Sequence, residues 1–378
     1  MNVYDIIVVG GGPVGSYTAY QLADLGFEVA LFEKDKKVGK NVICTGIVGV
    51  DAFKKFDLPR AAIISEIESV TFLSPSLLTL DYVADEPFAY VIDRTLFDKG
   101  ILRYAKDKGV DVHLGKRVDK VEIGNDLSKI EVYDTNSLTE IRAKAIVLAT
   151  GVDYKLHEQL GLSLPPSFLQ GVQTEAEVKD LVRTEVYFNN PSPGSFAWVV
   201  PLGNSTARIG ALTKGNSIPH IERFIEARLG NRLNDEDPVI AHKPIAHGPI
   251  QKSVNDRVLA VGEAAGQVKT TTGGGIFYGL MCSEIAVQVV KEAFQKGDLS
   301  HRQLAKYERL WKSKIGKELE VGYRARKIAE SLSRNQIDMM FKFIQRNKRI
   351  RGLIKRRVNF EYHSDLLSLG VRLLNGFI

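Results

Sequence analysis

Residues 4–15 read YDIIVVGGGPVG. The run Tyr4–Val9 has the apolar, β-branched composition of a short buried strand. It leads into Gly10-Gly11-Gly12-Pro13-Val14-Gly15, which fits G-x-G-x-x-G, and a helical stretch follows over Ser16–Leu25. Gly26 ends that helix, and Glu28–Phe32 predicts a second strand closed by Glu33. Each part has a physical task. Gly10 permits the tight turn, Gly12 lets backbone amides approach a pyrophosphate, and Gly15 lets helix and strand pack closely. The helix N-terminus then offers free N–H groups and a positive dipole end to phosphate. Glu33, 18 residues beyond Gly15, is placed to accept both ribose hydroxyls of an adenosine. Strand, glycines, helix, strand and acid in register predict a dinucleotide site. This unit alone does not separate NAD from FAD.

The rest of the composition suits a folded globular chain. Of 378 residues, 44% are hydrophobic and 25% charged, which allows one large core or two to three modest ones. No run of about 18 uncharged apolar residues predicts a transmembrane helix, and the apolar N-terminus passes directly into the glycine motif without the basic lead of a signal peptide. Cys44 and Cys282 are too few for a disulfide framework or a four-cysteine zinc site, so the chain reads as intracellular and cytoplasmic. Charge is placed unevenly. Residues 302–357 hold 18 Lys/Arg against 5 Asp/Glu, whereas the whole chain nets only +6. That segment is either a solvated helical face or a surface for anionic lipid head groups or an acidic electron carrier. No nucleic-acid module surrounds it, so nucleic acid is not an expected partner.

Two further segments repeat the strand-then-glycine theme. Residues 143–151, AKAIVLATG, predict a buried strand ending in Ala-Thr-Gly. Residues 257–276, RVLAVGEAAGQVKTTTGGGI, predict a strand (Val258–Val261), an acidic turn at Gly262-Glu263, a loop, and three glycines opening a buried helix over Ile276–Phe294. A second glycine-opened helix N-terminus is a second dipole site.

With these segments the chain resembles the FAD-dependent para-hydroxybenzoate-hydroxylase-like fold, and within it the geranylgeranyl reductase family, which includes archaeal digeranylgeranylglycerophospholipid reductases. The resemblance covers about residues 1–300. It implies FAD as cofactor, with Gly151 of the Ala-Thr-Gly segment passing near it. It places Glu263 where the family's Asp meets the ribityl chain, and Gly275 and Ile276 at the flavin ring. Tyr90–Asp98 matches the family's x-Arg-x-x-Phe-Asp segment, with Arg94 reaching the cofactor. Val118, in Lys116-Arg117-Val118, becomes a main-chain contact to adenine. Cys44 and Thr45 align beside the isoalloxazine, where Cys44 would position the ring or relay a proton. Cys282 reads as packing. Three departures stand out: Glu263 replaces Asp, Thr270 replaces Pro, and Thr45 replaces Gly.

Between the cofactor segments lie short apolar runs split by Gly, Pro and Asn, at 65–92 and at Gly171–Val178, Thr184–Asn189, Phe196–Val200 and Thr206–Leu212. Their lengths predict an inserted antiparallel sheet that leaves a pocket over the cofactor. Residues 193–201, PGSFAWVVP, resemble the family's Pro-x-x-Tyr-x-Trp-x-Phe-Pro, matching Pro193, Trp198 and Pro201. Phe196 stands for Tyr and Val200 for Phe. Phe196, Trp198 and Val200 alternate and so share one strand face, suited to lining a dry cavity for a hydrocarbon. A halogenase of the same fold carries a related Trp-x-Trp-x-Ile-Pro stretch.

The expected fold class is α/β, with three parts. An FAD-binding Rossmann-like domain is built from 1–60, 93–155 and 247–299. An inserted antiparallel-sheet substrate domain comes from 61–92 and 156–246, and a helical, basic C-terminal region spans 300–378. The resemblance implies reduction of C=C bonds in an isoprenoid lipid chain, with hydride from reduced flavin N5. A flavin monooxygenase or halogenase, or an electron-transfer flavoprotein without lipid turnover, are the competing readings. No second glycine fingerprint with its own acid is present for NAD(P)H, so electrons would come from a ferredoxin-like carrier or from NAD(P)H visiting transiently. Residues 302–357 are the expected peripheral membrane contact.

Overall fold

A computed structural model describes residues 3–40, 42–134, 137–189, 195–234 and 239–375, with side chains for all but 134, 137, 369 and 371–375. Pro193, part of the aromatic nonapeptide, lies outside the described residues. Strand Val3–Val9 sits at the centre of an eight-stranded sheet. It pairs in parallel with Val29–Glu33 on one side and Ser137–Leu148 on the other, with Ile7 opposite both Ala30 and Ile146. Asp111–Leu114 and Val258–Ala260 extend the parallel set at either end. Ile6, Ile7 and Val8 are fully buried, as expected for a strand covered on both faces. Helix Pro13–Asp24 begins one residue past Gly12, with Pro13 fixing its first turn. It packs against helices Arg94–Asp107 and Ile276–Lys296.

The third strand of this sheet starts at Ser137, six residues before the sequence predicts it. Its early half forms an antiparallel pair with Ser128–Asp134, where half-exposed polar residues alternate and conceal the strand from an apolar-run reading.

A second, seven-stranded sheet runs in the order Ala241–His247, Ser167–Glu177, Thr206–Thr213, Phe196–Gly203, Thr184–Phe188, Ser69–Leu73, Thr79–Val83. It is antiparallel except at one seam, where Thr184–Phe188 and Ser69–Leu73 run parallel. That seam joins two separate segments of the chain, so no hairpin constrains their direction. One face, with Ala197, Val199, Ile209 and Ala211, packs on Ile221 and Phe224 of helix Ile218–Phe224. The other face turns toward the first sheet. A small third sheet of Ile47–Gly49, Ala89–Ile92 and Ile63–Ile67 lies at the junction.

Beyond Ser300 the described residues are mainly helical, apart from short breaks and the link 358–363. Asp338 on helix Arg334–Arg346 accepts from Ser76 N (3.1 Å), Ser76 Oγ (2.5 Å) and Ser74 Oγ, which pins the C-terminal helices onto the second sheet. Among the described residues, no helix is long and apolar enough to cross a membrane.

Candidate functional site

The glycine motif forms a cradle with one open wall. A Cβ on Gly15 would lie 2.0 Å from the Gly10 carbonyl oxygen, and one on Gly10, at φ +110°, would lie 2.3 Å from Ala149 O. A Cβ on Gly12 would meet nothing within 4 Å. Gly10 and Gly15 are therefore required by the protein's own packing, whereas Gly12 borders empty space at the helix N-terminus. No side chain caps that helix and no acid lies in its first turn. Uncapped N–H groups beside an open glycine fit a phosphate. Glu33 closes the cradle, accepting from Gly11 N at 2.6 Å and Asp35 N at 2.8 Å. These bonds hold the carboxylate at the end of its strand and leave it further acceptor capacity for a hydroxyl. Val118 lies buried on strand Arg117–Glu122, one strand of the hairpin on this sheet.

Past the other end of the cradle the chain gathers a charged cluster. Arg94, first residue of its helix, donates from Nε (3.1 Å) and Nη2 (2.9 Å) to Asp98. Asp98 exposes only 2% of its side chain. Cys44 lies beside Arg94. Burial alone would raise its thiol, but the charges of Arg94 and Lys243 and the Gly46 N–H, 3.4 Å from Sγ, outweigh it and hold the thiol below its ordinary value. Lys243 also approaches Glu263 at 3.7 Å. Glu263 is fixed by Ala246 N (3.3 Å), its own carbonyl accepts from Tyr154 (2.6 Å), and its carboxylate lies 4.0 Å from where a Gly151 Cβ would be. Cys44, Arg94, Glu263 and Gly151 thus converge, together with Lys243, which sequence reasoning missed. Iodoacetamide alkylation of Cys44 is expected to titrate below the ordinary thiol midpoint of about 8.5, and Lys243→Met is expected to move that midpoint up. A wild-type midpoint at or above the ordinary value would contradict the cluster's polarity. Cys282, fully buried and pushed up by desolvation, is the unreactive control.

The second glycine run builds the other cradle. Lys269 N donates to Gly274 O (2.9 Å) and Gly273 N to Lys269 O (2.8 Å), folding the loop back on itself before Gly275 and Ile276 open the long helix. This helix too has no side-chain cap and no acid in its first turn. The loop is tied down from the C-terminus. Lys269 Nζ lies 2.6 Å from Glu361, with 7% and 2% of the two side chains exposed. Burial pushes Lys269 down and Glu361 up, each toward its neutral form, against their mutual attraction. Thr271 Oγ1 bonds His363 Nδ1 at 2.8 Å, and Tyr278 donates to Glu361 O at 2.7 Å. Thr270, where the family has Pro, donates to Leu319 O at 2.9 Å, so a hydrogen bond supplies the rigidity that a ring would have given.

The inward face of the second sheet covers this region. Register puts Phe196, Leu212, Gly171 and Lys243 in one row, Trp198, Gly210, Gln173 and Ala241 in the next, then Val200, Arg208 and Glu175. Phe196 and Trp198 are half-buried, 5.5 Å apart between ring centroids, and the indole lies where a Gly210 Cβ would be. Val200, at the next alternating position, is fully buried and packs with Ile67, Ala89 and Val91 in the cluster that Trp198 also touches. Arg208, also missed from sequence, donates to Thr45 O (2.9 Å), Ile92 O (3.1 Å) and Glu175 (2.7 Å). It fastens the aromatic sheet to the Cys44–Gly46 loop. Its signal was a charged residue inside the otherwise apolar run ARIGAL.

The pyridine nucleotide-disulphide oxidoreductase family matches residues 4–151, the stretch from the first strand to the Ala-Thr-Gly turn. A digeranylgeranylglycerophospholipid reductase of Methanocaldococcus jannaschii is 32% identical over 355 residues, 90% of each chain. The chain belongs to the digeranylgeranylglycerophospholipid reductase family. Its Methanococcoides burtonii member, reductase 1, is 30% identical over 89% of this chain and 86% of its own. Among solved structures, a geranylgeranyl bacteriochlorophyll reductase-like protein from Thermoplasma acidophilum superposes with a TM-score of 0.85, at 24% identity over 92% of both chains. A flavin-dependent brominase shares the fold at a TM-score of 0.74 and 14% identity, covering 100% of both chains. The family sequence likeness reaches well past residue 300, farther than the motifs alone suggested.

Proposed function

We propose that the chain is an FAD-dependent oxidoreductase that saturates C=C bonds in a geranylgeranyl-type isoprenoid lipid chain. The observation that carries this reading is the Phe196–Trp198 wall, anchored through Arg208 over the Cys44–Gly46 loop. It sets an apolar surface against the cofactor lobe, as a hydrocarbon substrate needs, and the family's members are named for reduction of such lipids. The two uncapped, glycine-opened helices and Glu33 fit FAD, with Gly10, Gly12, Gly15 and Glu33 at its adenosine and pyrophosphate. Val118 meets adenine through its backbone, Arg94 and Gly151 reach the cofactor, Glu263 meets the ribityl chain, and Cys44, Thr45, Gly275 and Ile276 lie beside the flavin ring. The division into cofactor, substrate and basic helical parts follows the same reading.

When bound, FAD supplies the hydride. The chain's residues supply the rest. Phe196 and Trp198 orient the alkene and exclude water. Cys44 holds the proton at Sγ that completes the addition, and Arg94, Lys243 and the Gly46 N–H stabilise the thiolate left behind. The test is anaerobic. Protein reduced with dithionite is expected to reoxidise on addition of geranylgeranyl lipid, with product heavier by about two mass units per reduced bond. No reoxidation with any prenyl lipid would sink the reductase reading. Oxygen and NAD(P)H consumption coupled to hydroxylation or halogenation would favour the oxygenase alternative, and flavin cycling with no lipid product would favour electron transfer. Whether a ferredoxin-like carrier or NAD(P)H reduces the flavin anaerobically identifies the donor.

The basic helices supply a membrane-facing surface in this reading. Helix Lys348–Arg357 carries six cations and no acid, and none of its residues is buried. Sedimentation with anionic vesicles but not with neutral ones is expected, and equal recovery with both would remove the membrane contact.

A further inference from the structure

Arg326 is a buried cation at the Phe196 ring with no ion pair among the described residues. It projects from helix Lys317–Ser331 and exposes 6% of its surface. Its guanidinium carbon lies 5.9 Å from the Phe196 ring centroid. Nη2 donates to Leu212 O at 3.3 Å and Nη1 to Thr271 O at 3.2 Å. Leu212 is the cross-strand partner of Phe196, and Thr271 leads into the glycine loop. Arg326 therefore stands where the aromatic wall meets the cofactor loop.

Its charge is not answered within the described residues. No carboxylate forms an ion pair with it, and the nearest acid that acts on it, Glu330, pairs with Lys214 at 3.8 Å. Nε is buried and has no acceptor. Burial without a counter-charge brings the guanidinium down to about 10. Two backbone carbonyls satisfy single N–H groups, but they cannot neutralise a desolvated cation as an oxyanion does. A second donor on the same wall, Trp198 Nε1, is also buried without an acceptor. The positive field continues outward. Arg326, Lys327 and Lys214 all add to the burial that drives His247 down to about 4, and Lys214 exposes 78% of its side chain. An anion approaching from solvent would meet Lys214 and Lys327 before Arg326.

We propose that Arg326 receives the phosphate-class oxyanion at the head of the prenyl substrate, fixing which end of the chain enters along the Phe196–Trp198 wall. This rests on the isoprenoid-lipid reading above and adds to it a head-group subsite and a specificity-determining residue. A neutral prenyl alcohol would occupy the same wall and leave Arg326 unpaired. Prenyl diphosphates and prenylated glycerol phosphates offer the same oxyanion, and the experiment separates them.

The test uses binding to the oxidised holoprotein, so it does not depend on turnover. Geranylgeranyl diphosphate, digeranylgeranylglyceryl phosphate and geranylgeraniol are each titrated while the flavin absorbance is followed. Wild type is expected to bind at least one phosphorylated lipid about tenfold or more tighter than the alcohol, and whichever of the two is tighter identifies the source. Arg326→Gln should bring that ratio near one while leaving the alcohol's Kd in place, and Arg326→Lys should restore part of it. If Arg326→Gln does not fold, the lysine variant and competition by inorganic pyrophosphate carry the test, since pyrophosphate should displace the phosphorylated lipid from wild type. Equal weakening for alcohol and phosphate would make Arg326 a structural clamp and overturn the proposal. So would an unchanged ratio, or a wild type that does not prefer the phosphate. Phosphate-selective binding without alkene reduction would sink the reductase reading alone.

Discussion

Gly12→Val is expected to yield a folded protein that purifies without its flavin. A Cβ at that position finds nothing within 4 Å, so the added side chain starts in open space. Thermal unfolding of the apoprotein should therefore stay close to wild type, apart from the modest effect of a non-glycine at an extended residue (φ −67°, ψ 179°). The space it fills is the approach to the uncapped helix N-terminus, where a pyrophosphate must come within hydrogen-bonding distance of the backbone. Loss of affinity on the order of a hundredfold or more, about 2.7 kcal/mol, follows from displacing that group. Flavin content after purification and fluorescence titration of the apoprotein measure it. Gly15→Val is the contrasting variant, because its Cβ would overlap the Gly10 carbonyl and should unfold the strand–helix unit itself. If Gly12→Val retained flavin at wild-type stoichiometry, the cradle would not be the pyrophosphate site.

Arg208→Met should cost about 3 kcal/mol in urea unfolding and most of the turnover. Three hydrogen bonds from one buried guanidinium are lost, and the Thr45 and Ile92 carbonyls lose a charged donor in a nearly dry site. Hydrogen bonds to charged groups contribute about 1.5–3 kcal/mol each. The Glu175 partner is half exposed, so its ion pair adds little to that figure. The larger consequence is positional. Arg208 is the direct link between the aromatic sheet and the Cys44–Gly46 loop, so alkene reduction should fall more steeply than flavin content. Arg208→Lys, whose single ammonium replaces the Nη1 that serves both carbonyls but lacks the Nε that donates to Glu175, should recover stability only in part. A variant with wild-type turnover would show that wall and loop keep their spacing by other contacts.

What the sequence made legible was whatever the backbone itself demands. Gly10 and Gly15 announce a turn and a close approach, and the structure finds both at distances no side chain could share. The alternation of Phe196, Trp198 and Val200 gave the shared face, on which Val200 is the fully buried member. The polar residues that complete the site were not legible in the same way. Lys243, Arg208 and Arg326 meet partners far along the chain, and Arg208 reaches Thr45 across 163 positions. A single charged residue in a strand or helix carries no local mark of what it will face. Burial revealed Arg208 and Arg326, because a cation inside an apolar layer must have a reason to be there, whereas Lys243, a third exposed, showed itself only by its approach to Glu263 and Cys44.

The tie between Lys269 and Glu361 also bears on how the molecule is made. The first glycine cradle draws on Glu33 and Ala149, both made before the second loop, whereas the second cannot be locked until Glu361 and His363 emerge, His363 lying 92 residues after its partner Thr271. Domains tend to fold from the N-terminus as the chain emerges, so here a nascent chain would hold half a cofactor site and wait for its tail. The non-helical link that carries Glu361 and His363, just before helix Ser364–Asn375, then acts as a clasp on a loop made long before it. A substitution at Glu361 or His363 falls on the step that locks the second glycine loop.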